Sequence, residues 1–263
     1  MDTDAVWVED MPASYDRLLG PALFAPFGRE LADRAVALRP ARVLEVAAGT
    51  GIVTRALCTA LPEARLLATD LNPAMAARGA AGVPEARWAV ADALALPVAD
   101  GRADLVVCSF GAMFFPDRPA AFAETGRVLA PGGTALFTIW DVVDRSTLPA
   151  ALHRAVAAVV PDDPPDFVAR VPHGYADPER IAGDLAAGGL DARLETVRLA
   201  GETPSVAALA EGFVRGTPLR AALGRHGELP DMVRAVAGRM TAELGEGAVR
   251  GELTAHVVTA RAA

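Results

Sequence analysis

The chain contains no lysine; all 25 of its basic residues are arginine. Beside the abundant alanine and glycine, this reads as the codon usage of a GC-rich genome and carries no functional weight. Positive charge is scarce as well: 33 acidic residues leave a formal net charge of −8. A nucleic-acid partner is therefore not expected, because binding a phosphate backbone draws on clustered cations. Cysteine is nearly absent, with only Cys58 and Cys108. Neither has a Cys or His neighbour at ligand spacing, so both are expected to be buried structural thiols. The four histidines form no metal-ligand cluster, and no metal is expected. Long apolar runs are missing too. The alanine-rich stretch 149–160 is interrupted by His153 and Arg154 and is too short to span a bilayer. The acidic start, Met1-Asp2-Thr3-Asp4, leads into no apolar core, so no signal peptide is expected. These absences point to a cytoplasmic protein without a membrane partner.

What is present is a packed globular composition, 52% hydrophobic and 22% charged, over 263 residues. That length suits one large α/β domain with a cap, or two small domains. The most informative run is Val43-Leu44-Glu45-Val46-Ala47-Ala48-Gly49-Thr50-Gly51. Its first four residues favour a buried strand, and the run continues into an amphipathic helix at 52–60. A second apolar stretch, Arg65-Leu66-Leu67-Ala68-Thr69, ends on Asp70. This is a βαβ unit with a glycine turn after its first strand and an acid after its second. Glycine lets a ligand approach the backbone, and the acid accepts bonds from two ribose hydroxyls. Taken alone, Asp70 also fits a helix N-cap, because Asp favours that position.

Alternation continues along the chain. Strands are predicted at 42–47, 65–70, 86–90, 103–109 and 134–140, with helices at 52–60, 73–79 and 117–129, the pattern of a parallel sheet covered on both faces. Residues 14–38 show an amphipathic helical period that Pro21 and Pro26 are expected to break. Beyond Trp140 come helices at 147–160, 177–187, 204–224 and 230–244. Strands are predicted at 192–199 and 252–261, the first with one wet face. Glu124 and Arg127 stand at i,i+3 and predict a surface ion pair.

Dinucleotide sites place a third glycine three residues after the second, where this chain has Thr54. Glu45 would repel a pyrophosphate but suits a cofactor that carries an ammonium. Both residues favour an amino-acid nucleoside over NAD.

The segment 45–51 resembles motif I of the class I S-adenosylmethionine-dependent methyltransferases, with Ala47 in place of the first glycine. Asp70-Leu71-Asn72-Pro73-Ala74-Met75 resembles that family's ribose segment, and 91–97 its adenine segment. Residues 104–110 and 127–133 resemble the fourth strand and the entry to the fifth. The resemblance implies a Rossmann-like α/β fold, a seven-stranded mixed sheet in order 3-2-1-4-5-7-6 with helices on both faces and a helical lid. It implies a single domain over 1–263: N-terminal lid helices at 1–40, a cofactor-binding half at 41–141, and lid or substrate elements at 142–176 and 204–245. S-adenosylmethionine would be held by Glu45, Ala47, Gly49, Gly51, Asp70, Leu71, Met75, Asp92, Ala93, Ser109 and Phe110. An extra methyl at Ala47 is expected to crowd the cofactor.

The fourth-strand exit, Ser109 to Phe115, lacks the Asn/Asp-Pro-Pro-aromatic signature of exocyclic-nitrogen methyltransferases. Its apolar character suits a small organic acceptor, a secondary metabolite, in a dry pocket lined by Met113, Phe114, Trp140 and Tyr175. His173 is the candidate general base and Tyr15 the candidate aromatic that closes over the cofactor. Two alternatives stay open: the same fold and cofactor used for cyclisation or decarboxylation, and a nicotinamide oxidoreductase. Monomer and homodimer are both compatible with the sequence.

Overall fold

The structure is a computed structural model that describes residues 11–263. The acidic start that bears on a signal peptide lies outside the described residues. Among the described residues there are seven strands: β1 Arg42–Val46, β2 Arg65–Asp70, β3 Arg87–Val90, β4 Ala103–Ser109, β5 Leu129–Trp140, β6 Leu190–Thr203 and β7 Val249–Ala262. They form one sheet in the order β3-β2-β1-β4-β5-β7-β6, as expected. The helices are α1 Met11–Ser14, α2 Ala25–Leu38, α3 Ile52–Ala60, α4 Pro73–Gly82, α5 Arg118–Val128, α6 Thr147–Val159, α7 Phe167–Arg170, α8 Pro178–Ala187, α9 Val206–Gly216, α10 Leu219–Leu223 and α11 Leu229–Leu244. Between α1 and α2, residues Tyr15–Phe24 are wound as a π-helix.

Two compact units are distinguishable. One comprises residues 27–140, 175–197 and 255–263. Here β1 pairs in parallel with β2 on one side and β4 on the other, while residues 255–260 of β7 run antiparallel to 135–140 of β5. Strands flanked on both sides read as continuous apolar runs because helices cover both faces. Leu31 and Ala35 of α2, Val53 and Leu57 of α3, Leu66, Leu105, Leu136 and Val257 form the buried core. Cys108 is buried as expected, whereas Cys58 on α3 is only half-buried.

Within the described residues, the other unit comprises 11–26, 141–174 and 198–254. Its interior holds Leu148, Leu152 and Val156 of α6, Leu209 of α9, and Val236 and Met240 of α11. Leu18 and Leu19 approach α9 at Gly212, where a Cβ would stand 2.7 Å from the Leu18 Cβ.

Two local expectations need correction, and one alternative reading is settled. Pro21 lies inside the π-wound turn rather than ending it, since wider winding tolerates a missing amide donor. The 204–224 helix is two helices, α9 and α10, separated at Thr217-Pro218 because a residue preceding proline is pushed out of the helical region. The cap of α4 is Asn72, whose side chain accepts from Ala74 N and Met75 N, and not Asp70. Among the described residues no helix is long and apolar enough to cross a membrane, and no group of three ligating side chains could hold a metal ion.

Candidate functional site

In an open α/β sheet a ligand crevice forms at the carboxyl ends of the strands where the strand order reverses, here between β1 and β4. At the end of β1 the chain turns through three positive φ values: Ala47 at 55°, Gly49 at 57° and Gly51 at 87°. Gly51 starts α3 in the left-handed conformation, and a Cβ there would press on Val83 and Trp88 at 3.0–3.3 Å. Gly49 is different. A Cβ on it would meet nothing within 4 Å, so open space lies over the turn at that residue.

The Gly49 amide donates to Asp70 Oδ2 at 2.7 Å, and the Asn72 amide donates to Asp70 Oδ1 at 2.8 Å. Asp70 thus ties the end of β2 to the glycine turn while each oxygen keeps acceptor capacity. Burial raises its pKa against these two bonds. After it, Met75 is buried and Leu71 is exposed.

Glu45 sits in β1 between Ala68 of β2 and Val107 of β4, with 1% of its surface exposed. Burial lifts its pKa to about 8; Thr54 opposes the shift and the Asp70 charge adds to it. Thr54 lies near enough to the carboxyl to oppose the shift, but among the described residues neither Thr54 Oγ1 nor Glu45 Oε2 has a partner in hydrogen-bond geometry. An orphaned buried acceptor beside an open glycine turn suits a ligand that brings a donor or a cation, because such an atom is otherwise destabilising.

Asp92 is exposed and its Oδ1 accepts from the Leu94 amide at 2.9 Å. The loop containing Asp92 and Ala93 is anchored by the expected Glu124–Arg127 pair. Glu124 Oε1 accepts from Leu96 N at 2.7 Å and from Arg127 Nη2 at 2.6 Å. Arg127 also reaches Asp100 at 2.6 Å.

The end of β4 is built from side chains. Ser109 Oγ is 2.8 Å from Thr138 Oγ1 on β5. Phe110 has a φ of 54°, a genuine outlier for a bulky residue, of the kind that collects at functional sites. Its ring stacks on Trp140 with centroids 3.8 Å apart and planes at 10°. Phe27 of α2, which the sequence did not single out, meets both rings edge-on at 5.2 and 5.3 Å. Ala112–Phe114 follow as a 3₁₀ turn with Met113 buried and Phe114 half-buried.

The Ala47 methyl does not lie over the turn. It points at Gly111, where an added Cβ would stand 2.5 Å away from it. The crowding expected at the cofactor falls instead on the loop after β4.

Tyr175, expected in the pocket wall, is 1% exposed and donates its hydroxyl to Asp184 Oδ2 at 2.9 Å. Burial, then Asp184, push its pKa up. In the other unit, His173 is buried with Nδ1 2.7 Å from the Asp141 carbonyl, and desolvation depresses its pKa to about 4. Tyr15 stacks on Phe24 at 4.8 Å. The structure therefore brings Glu45, Ala47, Gly49, Gly51 and Asp70 together at one strand end, and Ser109, Phe110, Met113 and Trp140 at the next.

Residues 43–133 match the family model described as a methyltransferase domain. A malonyl-[acyl-carrier protein] O-methyltransferase of Hahella chejuensis is 40% identical over 46% of this chain and 43% of that protein. A demethylmenaquinone methyltransferase of Thermus thermophilus is 38% identical over 45% of this chain and 56% of that protein. The chain thus spans about half the length of these curated relatives. Among solved structures, phosphoethanolamine N-methyltransferase 2 of Haemonchus contortus, in complex with S-adenosyl-L-methionine, superposes with a TM-score of 0.60. It is 17% identical, over 99% of this chain and 59% of that one.

Proposed function

We propose that this chain is a class I S-adenosylmethionine-dependent methyltransferase that transfers a methyl group to a small organic acceptor. Its cofactor is S-adenosylmethionine, which supplies a methyl group activated on a sulfonium. The observation that carries the reading is Asp70, held by the Gly49 amide at 2.7 Å beside open space at Gly49. A carboxylate so placed accepts from a vicinal diol, and the Gly49–Gly51 turn admits the rest of the cofactor. The orphaned Glu45 Oε2 is the complementary acceptor for an ammonium. The remaining work is orientation and exclusion of water, and the apolar surface of Phe110, Met113, Phe114 and Trp140 supplies both.

The state of His173 bears on the acceptor. A pKa of about 4 leaves the imidazole neutral at pH 7 and weakly basic. A strong general base is needed only for an acceptor poorly ionised at neutral pH. We therefore infer that His173 does not serve as a strong general base, and the class of acceptor is left to the assay below. The relatives are named for malonyl-[acyl-carrier protein] and for demethylmenaquinone, two different acceptors.

Calorimetry with S-adenosylmethionine, S-adenosylhomocysteine and NAD tests the cofactor. The first two should bind, and Asp70→Ala should weaken them by about 100-fold, the loss of one charged two-bond contact. Binding of NAD alone would overturn the reading. Release of S-adenosylhomocysteine in the presence of carboxylic and phenolic acceptors then separates methyl transfer from a cofactor used without transfer.

A further inference from the structure

We propose that Arg118 is a positioning residue that fixes the acceptor-side turn Ala112–Phe114, clamping two of its carbonyls from a platform made by Tyr175. Arg118 is the first residue of α5, and it reaches back over its own approach loop. Its Nε donates to the Ala112 carbonyl at 3.2 Å and its Nη2 to the Met113 carbonyl at 2.8 Å. Within its backbone the turn has the bonds from Phe114 N to Gly111 O, 2.9 Å, and from Phe115 N to Ala112 O, 3.2 Å, while the Gly111 and Ala112 amides at its start are turned to the Cys108 thiol. Short 3₁₀ turns are weakly held, so two further donors from one cation are a large share of what fixes this one.

The guanidinium is itself held by an aromatic face. Its carbon lies 4.2 Å from the centroid of the Tyr175 ring, within cation–π range. That ring is locked by burial and by its hydroxyl bond to Asp184, and Arg180 approaches the same ring at 5.5 Å. Among the described residues Arg118 forms no ion pair. Its planar fork is therefore oriented by two carbonyls and a ring, a geometry that the ammonium of a lysine cannot reproduce. Tyr175 thereby gains a role without lining the pocket: it aims the residue that aims Met113 and Phe114.

The inference rests on the reading of Met113 and Phe114 as acceptor-facing, and its test is chosen to stand apart from that reading. Amide hydrogen exchange on the full chain should show Phe114 and Phe115 exchanging about 10-fold faster in Arg118→Met, the loss of one to two charged hydrogen bonds. Exchange in β1 and α3 should be unchanged, and affinity for S-adenosylmethionine should stay within about twofold. Arg118→Lys keeps the charge and loses the fork, so its acceleration should be intermediate. If Arg118→Met does not fold, Arg118→Lys carries the test with the same two amides. With an acceptor that turns over, the KM for that acceptor should rise while the KM for the cofactor holds. Unchanged exchange at the two amides overturns the proposal. So does acceleration spread equally over β4 and α5, which would mark a general loss of stability. Failure of wild type to bind S-adenosylmethionine would sink the methyltransferase reading and leave the exchange result standing.

Discussion

The carboxyl ends of β1 and β4 make the same backbone move with different materials. Each turns through a non-glycine residue at positive φ, Ala47 at 55° and Phe110 at 54°. After β1 the turn is made of small residues and finished by a carboxylate that binds backbone amides. After β4 it is made of stacked rings, Phe110 on Trp140 with Phe27 edge-on to both. The first end presents polar groups to a ligand of fixed chemistry. The second presents shape, and its side chains can vary without disturbing the backbone hydrogen bonds. Under the proposed reading the first end would hold the cofactor and the second the acceptor.

The sharpest way to separate the two ends is pH. Glu45 lies at the β1 end with a pKa of about 8 against an ordinary 4.5, because burial disfavours its charge. Between those values the folded chain holds a proton that the unfolded chain has released. The Glu45 contribution is therefore intact at the acid end of the window and is lost as pH rises through it, by an amount on the order of a few kcal/mol. Denaturant titrations of wild type and Glu45→Gln from pH 4.5 to 8.5 should diverge steadily, with wild type losing more. Ser109→Ala, at the β4 end where no such group is buried, should run parallel to wild type. Parallel curves for Glu45→Gln would show that the carboxyl is solvated and that the polar end is not desolvated as described.

The two ends also touch, and steric substitution measures how hard. A Cβ at Gly111 would stand 2.5 Å from the Ala47 Cβ and 2.9 Å from Cys108 Sγ. Gly111→Ala should destabilise by about 2 kcal/mol, the usual effect of overpacking a tight site. In an Ala47→Gly background the same change should lose only about half as much, since one of the two clashes is gone. Equal losses in both backgrounds would mean that the ends are independent. Ala47→Gly alone should change stability by less than about 1 kcal/mol, because relief of a strained φ is offset by the added freedom of the unfolded chain.

How much of this was legible in the sequence follows the same division. The backbone geometry of the β1 end was legible, because glycine spacing and a carboxylate at a strand end are local signals of it. Asp70, Gly49 and Gly51 were named from spacing alone, and strand order followed from the family resemblance. The direction of the Ala47 methyl was not legible, since it depends on a φ that sequence leaves open and on a glycine 64 positions away. Phe27 and Arg118 were missed for a related reason. Phe27 looked like one more apolar residue on a helical stripe, and its partners, Phe110 and Trp140, lie more than 80 positions further along the chain. Arg118 carried no motif, and nothing in periodicity says that an arginine will turn back on its own loop. Tyr175 was expected in the pocket wall, and its bond to Asp184 was not legible. Its neighbours Asp184 and Arg180 sit at helical spacing, but burial of the ring is a tertiary fact.

The smallest expected effect is the most discriminating for the aromatic end. Phe27 is fully buried and contributes two edge-to-face contacts, at 5.2 Å to Phe110 and 5.3 Å to Trp140. Phe27→Leu keeps most of the apolar volume and removes the ring edges, so stability should fall by about 1 kcal/mol, the increment of such pairs beyond area burial. Affinity for S-adenosylmethionine should stay within about twofold, because no polar group at the β1 end is altered. A tenfold loss of cofactor affinity with unchanged thermal stability would reverse the assignment. It would mean that the ring cluster holds the cofactor and not the acceptor wall, and that the division between a polar end and a shape end does not describe the site.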